Sequence, residues 1–436
     1  MSANDECKRR LTRHPQTLPP KKNCLYDDSL HKPTMPIRER VSKALKTAAL
    51  FNLAAIAFAP SLFAQTIDLG KMQAQYSRPN VVFFPDGQSF AIAADKSVRT
   101  YRLDGTPIKT YASYLNVKGL AISPDGSQLA TAESDDGGNV NGLVKVVDVK
   151  TGRLLRQFRH RAGYAEWLSF SPDGRYLASV GDEPAVYVWD LRTGRPAARM
   201  EHHKWGNVSS VHFSRDGKYL FSGGQYRDSE ALLKADDAEN RYYNKTHTVE
   251  AARKLQEEIQ HWYETFNESW KIGEFFIYST TTWNLIKRIQ TPGAVHGIQS
   301  VQGSEKVTIV TNMDRQQVGQ EDGYLLSVDL ATGTYEELDR LPHMPDDFAD
   351  LDSEHRFYYR HNYLGYSPTP ELYVLSTLDG VFVLDDDLDE EYSFDVDSDT
   401  VQSPVPAAIS PDGTWLVTLE YSRETGAGQA IIRKLD

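Results

Sequence analysis

The sequence predicts an all-β chain, a seven-bladed β-propeller with a helical insertion in its fourth blade. Three observations carry that prediction: a turn that recurs between apolar strands, the spacing of its copies, and a second turn pattern at the end of several third strands. The recurring turn stands at Phe84-Pro85-Asp86-Gly87, Ser123-Pro124-Asp125-Gly126, Ser171-Pro172-Asp173-Gly174, Ser214-Arg215-Asp216-Gly217 and Ser410-Pro411-Asp412-Gly413. Proline presets φ, aspartate bonds the backbone ahead, and glycine takes a conformation closed to other residues, so each copy reverses the chain between two strands. Asp86, Asp125, Asp173, Asp216 and Asp412 are therefore read as structural. The first four glycines lie 39, 48 and 43 residues apart, the period of a four-stranded blade.

The second pattern is a β-rich strand closed by Asp and a Thr-Gly turn, as in Val147-Asp148-Val149-Lys150-Thr151-Gly152, Trp189-Asp190-Leu191-Arg192-Thr193-Gly194 and Val328-Asp329-Leu330-Ala331-Thr332-Gly333. These are third strands turning into fourth strands. After Gly217 the next inner turn is placed at Gln302-Gly303-Ser304-Glu305, two periods on because of the insertion. A degenerate one at Asp352-Ser353-Glu354 completes seven blades. The last blade has strands near 405–410, 415–420 and 429–435 and stops one strand short. Residues 66–73 are expected to supply that strand, which removes the exposed edges and locks the ring.

The start of the chain reads differently. Both cysteines, Cys7 and Cys24, fall in residues 1–34, a polar extension with no strand or helix period, upstream of a second methionine at Met35. Residues 35–64 run from a basic segment through an apolar stretch to Pro60 and Ala64, the layout of a signal peptide. The apolar stretch is short for a membrane span. The propeller is thus expected at 66–436, in a periplasmic or secreted protein. Residues 65–436 hold 37 Lys and Arg against 55 Asp and Glu, a net charge of −18 that repels phosphate backbones. Neither nucleic acid nor anionic lipid is an expected partner.

The Ser-Pro-Asp-Gly turns, taken with Val186-Tyr187-Val188-Trp189-Asp190, resemble the WD-repeat β-propeller family over about residues 66–436, in the manner of a divergent exported bacterial member. The resemblance implies that His160, Ser179, Asp182 and Trp189 form the structural hydrogen-bond network of blade three. Other blades keep fragments, with Val147, Tyr278 and Val328 where Trp189 sits. It also implies one rim that gathers His160, Arg161, His202, His203, Lys204, Trp205, His296 and the insertion. His160 and His203 fall about where the structural histidine of a blade belongs, and His202 and His203 are adjacent residues, which seldom both point to one ion, so no metal site is expected there.

The insertion spans 225–272. From Val249, the residues Val249, Ala252, Leu255, Ile259, Trp262, Tyr263, Phe266 and Trp270 fall mostly three or four apart, one face of an amphipathic helix that Thr246 or Thr248 would cap. That face either packs against the ring or receives a partner, and a catalytic lid is a third reading. The expected partner-binding set is Trp205, Trp262, Tyr263, Phe266, Trp270, His202, His203 and Lys204. Residues 385–391, with Asp395, Asp397 and Asp399, offer carboxylates to calcium, but no glycine follows Asp399 and Pro406 stands where a bidentate Glu belongs. That segment and Asp135-Asp136-Gly137-Gly138-Asn139 are read as solvated loops, and no cofactor is expected. The sequence holds no phosphate-cradling loop, Gly-x-Ser-x-Gly elbow, cysteine nucleophile or His-Glu-x-x-His. The expected function is an exported scaffold that binds a protein or peptide; alternatively, a periplasmic hydrolase or oxidoreductase whose carboxylate and His side chains converge on the ring axis.

Overall fold

The structure is a computed structural model that describes residues 64–72, 80–94, 96–113, 115–134, 142–203, 207–226, 228–243, 248–269, 271–301, 303–312, 323–341, 363–369, 371–377, 380–396, 405–422 and 425–435. The expected N-terminal extension, and all of the expected signal peptide except Ala64, lie outside these residues.

The chain opens with β1 (Ala64–Lys71). Blade one is β2 (Asn80–Phe83), β3 (Ser89–Ala94), β4 (Ser97–Arg102) and β5 (Pro107–Ala112); blade two is β6 (Asn116–Ile122), β7 (Gln128–Ser134), β8 (Leu143–Asp148) and β9 (Leu154–Arg159). Blade three is β10 (Ala165–Phe170), β11 (Tyr176–Gly181), β12 (Val186–Asp190) and β13 (Arg195–Met200). Blade four is β14 (Val208–Phe213), β15 (Tyr219–Gln225), β16 (Ile272–Ser279) and β17 (Leu285–Pro292), with helices α1 (Ser229–Tyr243) and α2 (Val249–Ser269) between β15 and β16. Blade five is β18 (Ala294–Ser300), β19 (Lys306–Asn312), β20 (Gly323–Asp329) and β21 (Tyr335–Leu341). Blade six is β22 (Tyr363–Pro368), β23 (Glu371–Ser376), β24 (Gly380–Leu384) and β25 (Glu390–Asp395). Blade seven takes β26 (Ala407–Ile409), β27 (Trp415–Tyr421) and β28 (Ala427–Lys434), and β1 completes it by pairing antiparallel with β28 from Ala64↔Arg433 to Lys71↔Ala427.

The innermost strands β2, β6, β10, β14, β18, β22 and β26 each touch the next, and β26 touches β2, so the ring is closed. Its cores lie between neighbouring sheets: Val144 and Val146 of blade two pack with Leu168, Leu177 and Trp189 of blade three, and Val417 and Ile432 of blade seven with Phe90 and Ile92 of blade one. Close approach is built in. A Cβ on Gly119 of β6 would sit 1.9 Å from the Glu166 carbonyl oxygen of β10, so only glycine leaves room.

The recurring turns share one geometry. Gly87, Gly126, Gly174, Gly217 and Gly413 all have φ between 67° and 73°, and the glycine N–H donates to the first turn residue at 2.8–2.9 Å. Asp86, Asp125, Asp173, Asp216 and Asp412 each accept the backbone N–H two residues on. In the outer turns Asp148, Asp190 and Asp329 each accept the backbone N–H three residues on, from Thr151, Thr193 and Thr332.

Blade six departs from the expected pattern. Its inner turn lies between Pro368 and Glu371, which pair across β22 and β23, rather than at 352–354, which lie outside the described residues. The segment Pro368-Thr369-Pro370-Glu371 lacks the Asp-Gly signal, so a search for that signal passes over it. Blade four departs too: its insertion is a pair of helices where one was expected.

Candidate functional site

The blade-four helices leave and rejoin the sheet at a single point, where Gln225 pairs with Gly273 and the Tyr226 N–H donates to the Ile272 carbonyl at 3.0 Å. Asp228 caps α1 through the Ala231 N–H (3.0 Å), and Thr248 caps α2 through the Ala251 N–H (3.3 Å). Ala231, Ala235 and Ala238 recur along one face of α1 and are buried, so the helices can approach closely. Polar contacts fix the register: Arg241 pairs with Glu258 at 2.6 Å, the Tyr263 hydroxyl donates to Glu239 at 3.0 Å, and Lys234 Nζ lies 4.4 Å from the centre of the Trp262 ring.

This arrangement redistributes the expected partner-binding set. Trp262, Tyr263 and Phe266 are half-buried on α2, and the extensive packing of α2 is with α1 rather than with any strand of the ring. The apolar face of α2 is therefore covered by a second helix, α1, for which the Asp228 cap is the one local signal in the sequence. The outward side of α1 instead exposes Leu233 and Tyr243, 62% and 78% accessible. His202 is exposed and 5.6 Å from the Tyr278 ring. Lys204, Trp205 and Trp270 lie outside the described residues.

His203 is a correction. It is buried inside blade four, with Nε2 2.8 Å from Ser222 Oγ and Nδ1 4.0 Å from Glu274, and cannot reach a partner. Burial, with smaller effects from His202 and Arg288, lowers its pKa to about 3. His160 matches it in blade three: Nε2 lies 2.8 Å from Ser179 Oγ, to which Trp189 Nε1 also donates at 2.8 Å. Burial chiefly lowers the His160 pKa to about 4, with Glu183 opposing and Arg199 assisting.

Asp182 does not join this network. Its side chain is exposed, and His160 Nδ1 has no hydrogen-bond partner. The buried carboxylate is the next residue, Glu183, which accepts from the Tyr187 hydroxyl at 2.7 Å and pairs with Arg199, while Tyr187 stacks on His160 at 4.3 Å. One carboxylate–cation pair within a blade recurs as Glu133 with Lys145 at 2.6 Å, Glu274 with Arg288, and Glu420 with Arg433 at 3.6 Å. Sequence reading missed these pairs because their partners lie on different strands.

A cavity of about 470 Å³ lies on the axis, lined by residues from all seven inner strands. His296 lines it, together with His212, Arg215, Gln299, Tyr366 and Trp167, amid aliphatic side chains. No Asp, Glu or Cys is among the lining residues, so the described cavity offers no carboxylate for acid–base chemistry. No cluster of three metal-ligating side chains occurs among the described residues, and none of their helices is long and apolar enough to cross a membrane. In the acidic segment, Asp385 accepts the Asp389 N–H at 2.8 Å within the turn from β24 to β25; Asp397, Asp399 and residues 135–139 lie outside the described residues.

The chain matches the family described as WD domain, G-beta repeat at residues 105–138, 152–190 and 194–230, within blades one to four. It is 35% identical over 121 residues to WD repeat-containing protein SL1-17 of Schistosoma mansoni, covering 26% of this chain and 37% of that protein. It is 31% identical over 144 residues to WD repeat-containing protein 1 of Bos taurus (31% and 23%), and 31% identical over 165 residues to transcription initiation factor TFIID subunit 5 of Caenorhabditis elegans (35% and 24%). The chain thus spans between about a quarter and just over a third of the length of these curated relatives. A chain in the crystal structure of the mitotic checkpoint complex shares the fold, with a TM-score of 0.56 and 14% identity over 95% of this chain and 98% of that one. Turns, strand order and ring closure agree: the chain is a seven-bladed β-propeller, and the segments 105–138, 152–190 and 194–230 match the WD domain, G-beta repeat.

Proposed function

We propose that this protein is an exported scaffold that binds a protein or peptide through the blade-four helical hairpin and the rim beside it. The observation that carries the reading is the hairpin itself: two helices packed chiefly on each other, anchored at one point of a rigid blade, with Leu233 and Tyr243 exposed. Insertions of this kind supply recognition while the scaffold supplies rigidity. The layout of residues 35–64 supports export, since the ring-closing strand starts where the signal peptide ends.

The test replaces 229–269 by a short Gly-Ser link and compares capture from the envelope fraction with that of the full chain. A discrete protein that the full chain recovers, and that neither the deletion nor Leu233→Glu with Tyr243→Glu retains, supports the reading. Equal recovery by all three rejects the hairpin as the contact. For export, the N-terminus of the mature protein is expected at Gln65.

A further inference from the structure

The fourth copy of the recurring turn departs from the others at one position, Arg215, where blades two, three and seven carry Pro124, Pro172 and Pro411 and blade one Pro85. The turn itself has no need of arginine: Gly217 N–H still donates to Ser214 at 2.9 Å, and Ser214 Oγ to Asp216 at 2.7 Å. What changes is the axial cavity. Pro85 and Pro411 line it from blades one and seven, and Arg215 lines it from blade four.

The guanidinium is held there from two further blades. Arg215 Nε donates to the Ser300 carbonyl of blade five at 2.9 Å, and the group lies 4.7 Å from the centre of the Tyr366 ring of blade six. Ser300 Oγ accepts the Arg215 N–H at 3.3 Å and lies 3.2 Å from His212 Nε2, so it ties the arginine to an imidazole on the same wall. Among the described residues Arg215 has no carboxylate at ion-pair distance, and burial lowers its pKa against the opposing effects of Tyr366, Tyr373 and, least, Glu371. A partly desolvated cation without an anion is costly, and it raises the affinity of any anion that reaches it.

We propose that the axial cavity is a binding site for a small organic anion, a carboxylate or a phosphate monoester with an apolar body, whose charged group sits on Arg215. His212, Gln299 and Tyr366 line the cavity beside it, and Val81, Val211 and Ile298 line it for the apolar body. Its volume of about 470 Å³ falls within the ordinary range of small-ligand pockets. The site is independent of the helical hairpin, so it stands or falls apart from the scaffold reading.

The test is calorimetric titration of the full chain with benzoate, phenyl phosphate and the uncharged benzamide. Saturable binding of at least one anion is expected, with benzamide silent and affinity reduced at least tenfold in Arg215→Pro and Arg215→Gln. Arg215→Pro restores the residue found in the other turns, so an unchanged melting midpoint is expected to show that its fold persists. The relative affinity of the two anions decides between carboxylate and phosphate. No saturable binding of either anion, or unchanged affinity in both variants, overturns the assignment.

Discussion

In blade three His160 and in blade four His203 each sit 2.8 Å from a buried serine, Ser179 and Ser222, yet the two networks are completed differently. Blade three adds Trp189, which donates to the same serine and stacks on Phe158 at 4.7 Å and Tyr187 at 5.2 Å. Blade four puts Tyr278 opposite Leu220, as Trp189 stands opposite Leu177, and buries Glu274 completely beside Arg288. Blade three turns directly from β11 to β12, whereas blade four inserts two helices at the same place. The histidine–serine pair and a paired carboxylate are common to both, so these, rather than the tryptophan, are what blades three and four share. The insertion leaves the ladder intact because its ends already lie side by side, which keeps the entropic cost of the longer loop small.

The largest test of that comparison is Trp189→Ala, expected to destabilise the ring by about 3–5 kcal/mol in denaturant unfolding through the cavity it leaves. A loss below about 1 kcal/mol would show that blade three, like blade four, does without its tryptophan. Next, Arg288→Met leaves a buried carboxylate short of its cation and is expected to cost about 3 kcal/mol. Arg199→Met should cost only about 1–2 kcal/mol, because Glu183 keeps the Tyr187 hydroxyl. Equal costs would break the distinction between the two carboxylates.

Acid should act on both blades alike. The unfolded chain protonates histidine near pH 6.5, whereas folded His160 and His203 resist protonation down to about 4 and 3. The unfolded state therefore binds more protons below pH 6.5, and stability falls as pH drops, by about 2 kcal/mol per histidine at pH 5. His160→Asn and His203→Asn should each flatten the fall in melting midpoint between pH 7 and pH 5. A pH profile that neither variant alters would exclude these histidines as its source. The smallest effect belongs to the hairpin: removing 229–269 is expected to change unfolding free energy by less than about 1 kcal/mol, since its packing is mostly internal. A larger loss would mean that the helices brace the ring.

Legibility followed the range of the interactions. The Asp-Gly and Thr-Gly turns could be read because each is made by a few consecutive residues around a glycine with positive φ. The strand at β1 could be read from a count of strands in the last blade. The blade-six turn was missed where Pro368-Thr369-Pro370 stands in place of Asp-Gly, and α1 was missed because its seam is alanine and reads as weakly apolar. Asp182 and Glu183 are neighbours with opposite fates, one exposed and one buried, and no local pattern separates them.

The sequence alone determined the blade, its period, the number of blades and the place of the insertion, since backbone dihedrals and two-residue alternation are properties of short segments. Only the tertiary structure decided that His203 is buried rather than on the rim, that the aromatic face of α2 meets a second helix, and that Arg215 faces the axis. Each depends on surfaces brought together from blades or elements far apart in the chain, and only closure of the ring sets which side chains then share a space.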